Sequence, residues 1–151
     1  MSTSQAPPME RALAEAKAAA ARGEVPVGAV ISDGDGRIVA ADGNRMRERL
    51  DPTAHAEILV IRKAASALGA LRLTDLDLHV TLEPCPMCAA AISFARLRRL
   101  YYGAPDPKGG AVDHGPRLFG SSSCHHTPEI YGGIAERQAA ALLRDFFQER
   151  R

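Results

Sequence analysis

Val80-Thr81-Leu82-Glu83-Pro84-Cys85-Pro86-Met87-Cys88 is the stretch that sets the fold, because here a predicted strand gives way to a predicted helix. Residues 76–81 (LDLHVT) predict a strand. Pro86 suits the first position of a helix, and the alanine-rich run after it predicts a helix that continues to about Arg96. The two cysteines should therefore lie together at the amino end of a helix.

The remaining patterns predict helices and strands in the order α-β-β-α-β-α-β-β-α. The predicted helices cover residues 8–22, 53 or 54 to 68, 86–96 and 134–150, and the predicted strands cover residues 25–31, 37–41, 76–81, 100–104 and 129–131. Residues 44–52 are predicted to form an arginine-bearing loop, and residues 105–127 a long functional loop with one short helical turn. This order predicts an α/β fold, a three-layer α/β/α sandwich with a five-stranded mixed sheet.

The chain has 151 residues, which is enough for one well-buried domain and too few for two ordinary ones. We expect residues 1–151 to form a single domain, with residues 1–7 as a disordered tail. The net charge of +1 does not by itself indicate a protein that binds nucleic acid. No apolar run reaches the roughly 18 residues of a membrane helix, and the polar start lacks the apolar core of a signal peptide. We therefore expect a cytoplasmic location and no membrane contact.

A second motif, His55-Ala56-Glu57, supplies a further metal donor. One imidazole and two thiols, from His55, Cys85 and Cys88, make three zinc ligands, whereas a closed structural site would need four. The open position would take a water, and Glu57 could move protons to and from it. Both motifs fall at predicted helix starts, whose partial positive charge favours thiolates. We therefore expect a hydrolytic site with one zinc ion per subunit.

Two other interpretations of the cysteine pair remain open. Cys-x-x-Cys alone can be redox-active or half of a structural zinc finger. A finger needs a second pair of ligands, and none of the other histidines sits at its compact spacing: His79, His114, His125 and His126. We expect His79 to pack in or at the edge of a strand, and His114 and His125 to be solvated loop residues. Cys124 is expected to be a loop or small core residue.

His-x-Glu followed by Pro-Cys-x-x-Cys is the signature of zinc deaminases that act on nucleobases. Zinc lowers the pKa of its bound water to near neutrality and so makes a hydroxide available. The hydroxide attacks the ring carbon that bears the amino group. Glu57 would take the proton from water and return it to the ring nitrogen and the leaving ammonia. The motif thus predicts hydrolytic deamination of a nucleobase.

The sequence resembles the bacterial tRNA-specific adenosine deaminase family over nearly its whole length. The matching segments are residues 23–30 (GEVPVGAV), 51–57 (DPTAHAE), 80–88 (VTLEPCPMC), 103–108 (GAPDPK) and 142–147 (LLRDFF). The resemblance implies a cytidine-deaminase-like α/β/α sandwich that converts adenosine to inosine at the wobble position, position 34, of tRNA anticodons. It also implies a homodimer whose two subunits both contact each tRNA. By motif match, His55, Cys85 and Cys88 would bind zinc, and Glu57 would be the proton shuttle.

The resemblance assigns contacts with the base or the RNA to five side chains: Asn44, Asp106, Lys108, His126 and Phe147. Asn44 would hydrogen-bond the flipped base, and Asp106 and Lys108 would contact the nucleotides around it. His126 lines up with a histidine of the anticodon-binding region. Of the adjacent pair Phe146 and Phe147, we expect one to pack in the core and one to touch RNA.

Three functions are compatible with these motifs. The first is deamination of tRNA adenosine 34, and the second is deamination of a free base or nucleoside such as guanine or cytosine. The arginine-bearing loop at residues 44–51 and the segment at residues 142–147 favour the RNA substrate. The third is a non-catalytic RNA-binding subunit stabilised by zinc. Glu57 argues against this third function, because a purely structural metal site has no use for that carboxylic acid.

Overall fold

The computed structural model describes residues 7–150 and shows one five-stranded sheet with helices on both faces. The helices are α1 (Pro8–Ala21), α2 (Met46–Arg49), α3 (Ala56–Leu68), α4 (Pro86–Ala95) and α5 (Glu136–Glu149). The strands are β1 (Gly28–Ser32), β2 (Ile38–Gly43), β3 (Asp77–Leu82), β4 (Arg99–Ala104) and β5 (Glu129–Tyr131). Apart from its last residue, the expected disordered tail at residues 1–7 lies outside the described residues. Within residues 7–150, no helix has the length and apolar character needed to cross a membrane.

The sheet is mixed, and its strand order is β2-β1-β3-β4-β5. β1 is antiparallel to both β2 and β3, whereas β3, β4 and β5 are parallel. Alternate side chains of β1 point to opposite layers: Val30 packs with Met9 and Ala12 of α1, and Ile31 joins the core on the other side. α1 and α5 contact each other on one face, and α3 and α4 contact each other in the other helical layer. The predicted three-layer sandwich is confirmed.

The predicted loop at residues 44–52 contains a helical turn instead, α2. The buried carboxylate of Glu24 accepts hydrogen bonds from the backbone N–H groups of Arg47 (3.1 Å) and Glu48 (2.9 Å), which caps the amino end of this turn. Glu24 lies more than twenty residues before this turn, so local sequence patterns do not predict that it caps α2. α3 also begins later than predicted, because Asp51 accepts hydrogen bonds from the backbone and hydroxyl of Thr53 and holds a turn there.

The elements around the metal-donor motifs match the predictions closely. α4 begins at Pro86, as its proline predicts, and β5 covers the three predicted residues 129–131. The long loop at residues 105–127 contains the expected short helical turn, a 3-10 helix at Leu118–Gly120. The N–H of Ala111 in this loop donates to the carbonyl of Pro84, so the loop returns to the short connection between β3 and α4.

Gly28 lies directly against α1, and this contact tests the packing of the first layer. A Cβ at Gly28 would be 2.0 Å from the carbonyl oxygen of Ala12 and 2.6 Å from the backbone nitrogen of Ala16. We expect Gly28→Ala to lower the free energy of unfolding by about 3 kcal/mol or more, because the helix must shift away from the strand. The matched control is Gly120→Ala, where a Cβ would meet no atom within 4 Å. Equal urea midpoints for the two variants would contradict this packing.

Candidate active site

Three metal donors meet where α3 and α4 begin. His55 is the residue that precedes α3, Cys85 is the residue that precedes α4, and Cys88 lies in the first turn of α4. His55 Nδ1 is 3.7 Å from Cys85 Sγ and 3.6 Å from Cys88 Sγ. A tetrahedral ion with bonds of about 2.0–2.3 Å needs donors separated by about 3.5 Å, so these three atoms fit the corners of such a site. None of the other four histidines joins the group, which argues against a closed site with four protein ligands.

The electrostatics of the donors favour a bound cation. A hydrogen bond from Cys88, together with one from His55, lowers the pKa of Cys85 to about 4, so Cys85 is a thiolate at neutral pH. The Cys88 thiol donates the hydrogen bond to Cys85, and this raises the pKa of Cys88, as does its burial. A cation between the two sulfurs would offset the repulsion between a first and a second thiolate. The amino ends of α3 and α4 also favour negative charge at this point.

Glu57 brings a carboxyl group to the same place. It lies in the first turn of α3, and only 4% of it is exposed. Burial raises the pKa of Glu57 to about 7, while the charge of His55 acts in the opposite direction. No lysine or arginine among the described residues forms an ion pair with it. The site therefore combines three metal donors with a buried carboxyl group that forms no ion pair with a lysine or arginine of the described residues.

A small cavity opens onto these groups, and we call it the base pocket. Its volume is about 210 Å³, and it is lined by Val25, Val27, Asn44, Met46, His55, Glu57, Leu82, Glu83, Cys85, Asp106 and Gly109. A larger groove of about 440 Å³ follows the outer side of α4 but contains none of the donors. The base pocket has the apolar walls and few polar groups that suit a flat heterocycle with polar edges.

The structure brings Asn44 and Asp106 to the base pocket, as their predicted contacts with the base and its neighbours require. Asn44 is buried, and its side chain accepts a hydrogen bond from the N–H of Ala56 (2.8 Å) and donates one to the carbonyl of Val25 (3.2 Å). These two bonds fix the amide at the start of α3. Lys108 is exposed on the same segment as Asp106.

The other two predicted RNA contacts lie outside the base pocket. Phe146 is 7% exposed and Phe147 is 51% exposed, with their rings edge to face, so the expectation that one of the pair packs in the core is confirmed. His126 donates from Nε2 to the carbonyl of Leu97 (2.6 Å), and its own carbonyl accepts from Ser93 (2.8 Å). Its ring therefore anchors the end of the long loop to the turn after α4.

Sequence patterns did not identify Glu83 as part of the site. Its carboxylate is buried beside the base pocket and accepts a hydrogen bond from His114 Nδ1 at 2.8 Å. His114 is a partly exposed loop residue, as expected, but this bond holds its ring, which the sequence did not predict. Burial alone would raise the pKa of Glu83, but hydrogen bonds from the backbone of Asp106, from His114 and from the backbone of Asp113 lower it below its usual value. In the sequence, only the position of Glu83 just before Pro84 and Cys85 pointed to the site. That position does not indicate which groups its carboxylate binds.

The sheet, the three donors and the buried glutamate define a class of protein, the nucleobase deaminases that act through a metal ion. The sequence profile of the MafB19-like deaminase family matches residues 3–151. The tRNA-specific adenosine deaminase of Agrobacterium fabrum is 62% identical over 143 residues, which covers 95% of this chain and 93% of that protein. This chain belongs to the bacterial tRNA-specific adenosine deaminase family, within the cytidine deaminase superfamily.

Solved structures agree with this assignment. A structure of a tRNA:A34 deaminase, which carries out A-to-I editing at the wobble position, superimposes with a TM-score of 0.88 and 62% identity over 90% of this chain and 98% of that chain. A guanine deaminase from Bacillus subtilis gives a TM-score of 0.61 and 43% identity, but over 65% of this chain and 62% of that one. The tRNA deaminase therefore matches more of this chain, and at higher identity, than this guanine deaminase of Bacillus subtilis does.

The donor geometry predicts which cysteines a metal ion needs. We expect Cys85→Ser and Cys88→Ser to lose most of the bound metal, because each removes one of three protein ligands. Cys124→Ser is the matched control and should keep one ion per chain, since Cys124 lies away from the donors and contacts Ser93. Metal content of the purified proteins is measured by inductively coupled plasma mass spectrometry. Loss of the ion in Cys124→Ser would contradict the assignment of the three ligands.

Proposed function

We propose that this protein deaminates adenosine to inosine at the wobble position, position 34, of tRNA anticodons. The observation that carries the proposal is that the donor group His55, Cys85 and Cys88 lies at a cavity the size of a base, which is lined by His55, Cys85 and Glu57. The close relative named a tRNA-specific adenosine deaminase, matched along almost its whole length, supports adenosine in tRNA as the substrate. We further propose that the enzyme acts in the cytoplasm.

We propose zinc as the metal ion, one per subunit. Two sulfurs and one imidazole are a donor set that zinc accepts, and three protein ligands leave a position for water, as in catalytic zinc sites. When bound by His55, Cys85 and Cys88, zinc supplies a nucleophilic water at neutral pH by lowering the pKa of that water. The protein provides the remaining steps through its own side chains.

Glu57 carries the protons of the reaction. It takes one proton from the attacking water and gives it to the adenine ring nitrogen. It then takes the proton of the new hydroxyl group on the attacked carbon and gives it to the departing amino group, so adenosine and water become inosine and ammonia. Its burial in the wall of the base pocket keeps bulk water away from this path. Asn44 holds the base in place: Val25 takes one of its two amide protons, and the second remains for the base.

The size of the base pocket supports recognition of a flipped nucleotide. A cavity of about 210 Å³ takes a base but not a folded RNA segment, so the adenosine must leave its stack to enter. Outside the pocket, Lys108 and Phe147 are exposed and available to a phosphate and to a base, respectively. We propose that Asp106 contacts the nucleotides next to the flipped base, and that His126 acts by holding the loop that faces the anticodon.

We also propose that the protein is a homodimer. Phe94, on the outer side of α4, is 83% exposed, and it lines the larger groove together with Ala90 and Leu118. An exposed aromatic side chain beside an apolar groove is typical of a surface that another protein covers. We propose that a second subunit covers this face.

The substrate is tested with an arginine tRNA that carries adenosine at position 34. We expect inosine at that position after incubation, detected by sequencing, and no product from free adenine, guanine or cytosine. The same tRNA with guanosine at position 34 is the control. Turnover of a free base alone would establish the competing function of a free-base deaminase. A protein with one zinc per chain and no turnover of any substrate would instead be a non-catalytic RNA-binding subunit.

Glu57→Ala tests the proton path separately from the metal site. We expect the turnover number to fall by at least about 100-fold, because no other carboxyl group replaces the shuttle. Zinc should stay at one ion per chain, since Glu57 is not a ligand. Loss of zinc from Glu57→Ala would mean that the role of Glu57 is misassigned, and so would a turnover number close to that of the wild type.

A further inference from the structure

Residues 106–114 belong to no helix or strand, and two of them, Asp106 and Gly109, line the base pocket. One carboxylate, that of Glu83, accepts four of their backbone N–H groups. The N–H of Asp106 donates to Oε1 at 2.9 Å, and those of Val112 (3.1 Å), Asp113 (2.9 Å) and His114 (3.1 Å) donate to Oε2. The two ends of the 106–114 segment are therefore joined through a single side chain, that of Glu83.

Glu83 has no freedom to move away from this position. It lies between β3 and Cys85, and its side chain is fully buried. A Cβ on Gly110 would be 2.6 Å from the carboxyl carbon of Glu83, so the segment packs against the carboxylate at a distance that only glycine allows. The segment that carries Asp106 is thus tied to the residue two positions before a metal donor.

His114 completes this arrangement. Its Nδ1 donates to Oε1 of Glu83 at 2.8 Å, and this is the same oxygen that accepts the N–H of Asp106. The ring therefore orients the oxygen that fixes Asp106. A neutral imidazole with its proton on Nδ1 can also donate this bond, so the contact does not require a charged histidine.

We propose that Glu83 is a positioning residue for the deamination and that His114 is its clamp, which together place Asp106 against the nucleotides at the mouth of the base pocket. This inference rests on the proposed function. Neither residue is assigned a proton transfer or a metal bond. Their contribution is the position of the 106–114 segment.

The rest of the segment is anchored independently of His114. A change at His114 can therefore affect the position of Asp106 without unfolding the segment. Ala111 and Val112 are buried in the core, and the N–H of Ala111 donates to the carbonyl of Pro84 at 2.9 Å. These contacts persist when the ring of His114 is removed. His114 is 37% exposed, so its replacement leaves no large cavity. Loss of the clamp should therefore loosen the Asp106 end while the protein stays folded.

The test compares His114→Ala, His114→Asn and Ser122→Ala in the zinc-loaded enzyme. We expect His114→Ala to lower kcat/KM for the adenosine-34 tRNA about tenfold or more, because small misplacements at a site are costly. His114→Asn should recover most of the loss, since its amide nitrogen takes the place of Nδ1. Ser122→Ala is the loop control and should match the wild type. Unfolding midpoints and zinc content should be the same in all four proteins.

Hydrogen exchange gives a readout that does not depend on activity. Peptides that cover residues 105–117 should exchange faster in His114→Ala and in Glu83→Gln than in the wild type, and His114→Asn should restore the protection. Wild-type kinetics and exchange in His114→Ala would overturn the inference while leaving the proposed function intact. So would failure of His114→Asn to recover kcat/KM. A wild-type enzyme that does not deaminate the tRNA would overturn both.

Discussion

The site depends on one constraint, that two helices in the same layer begin at the same point. α3 starts after His55 and α4 starts after Cys85, so the imidazole and the two thiols converge although 30 residues separate them. The amino ends of both helices favour negative charge there, and the sheet beneath keeps the two starts in register. Glu57 lies in the first turn of α3, two residues after His55. The proposed proton carrier, Glu57, and the metal donors are therefore held by the same backbone.

Two further buried carboxylates shape the base pocket without taking part in the chemistry. Glu24 caps α2, which contributes Met46 to the wall, and Glu83 holds the 106–114 segment, which contributes Asp106. Each satisfies backbone N–H groups that no helix or strand would satisfy. Irregular segments thereby become rigid walls, as a site that must place a base within a fraction of an ångström requires. Buried acidic residues in this chain thus have different purposes: Glu24 and Glu83 hold backbone segments, whereas Glu57 is the proposed proton shuttle.

Local sequence patterns predicted most of the fold and the centre of the site. The apolar strand segments and the proline at the start of α4 are short-range features, so they can be read without the structure. His55 lies 30 residues before Cys85, and it was grouped with the cysteines because the three residues match a known zinc-deaminase motif. The features that local patterns did not predict depend on contacts between residues far apart in the sequence. α2 exists because Glu24 caps it, and His114 is held because Glu83 lies beneath it. Such pairs join residues that are distant in sequence, and propensity carries no information about them.

The most direct test of the central claim is X-ray absorption at the zinc edge of the loaded enzyme. We predict two sulfur donors at about 2.3 Å and two lighter donors at about 2.0 Å, of which one is an imidazole and one is water. That result means three protein ligands and one open position at the point where α3 and α4 begin. A third sulfur or a second imidazole around zinc would instead indicate a closed structural site, and would contradict the assignment of this centre to catalysis.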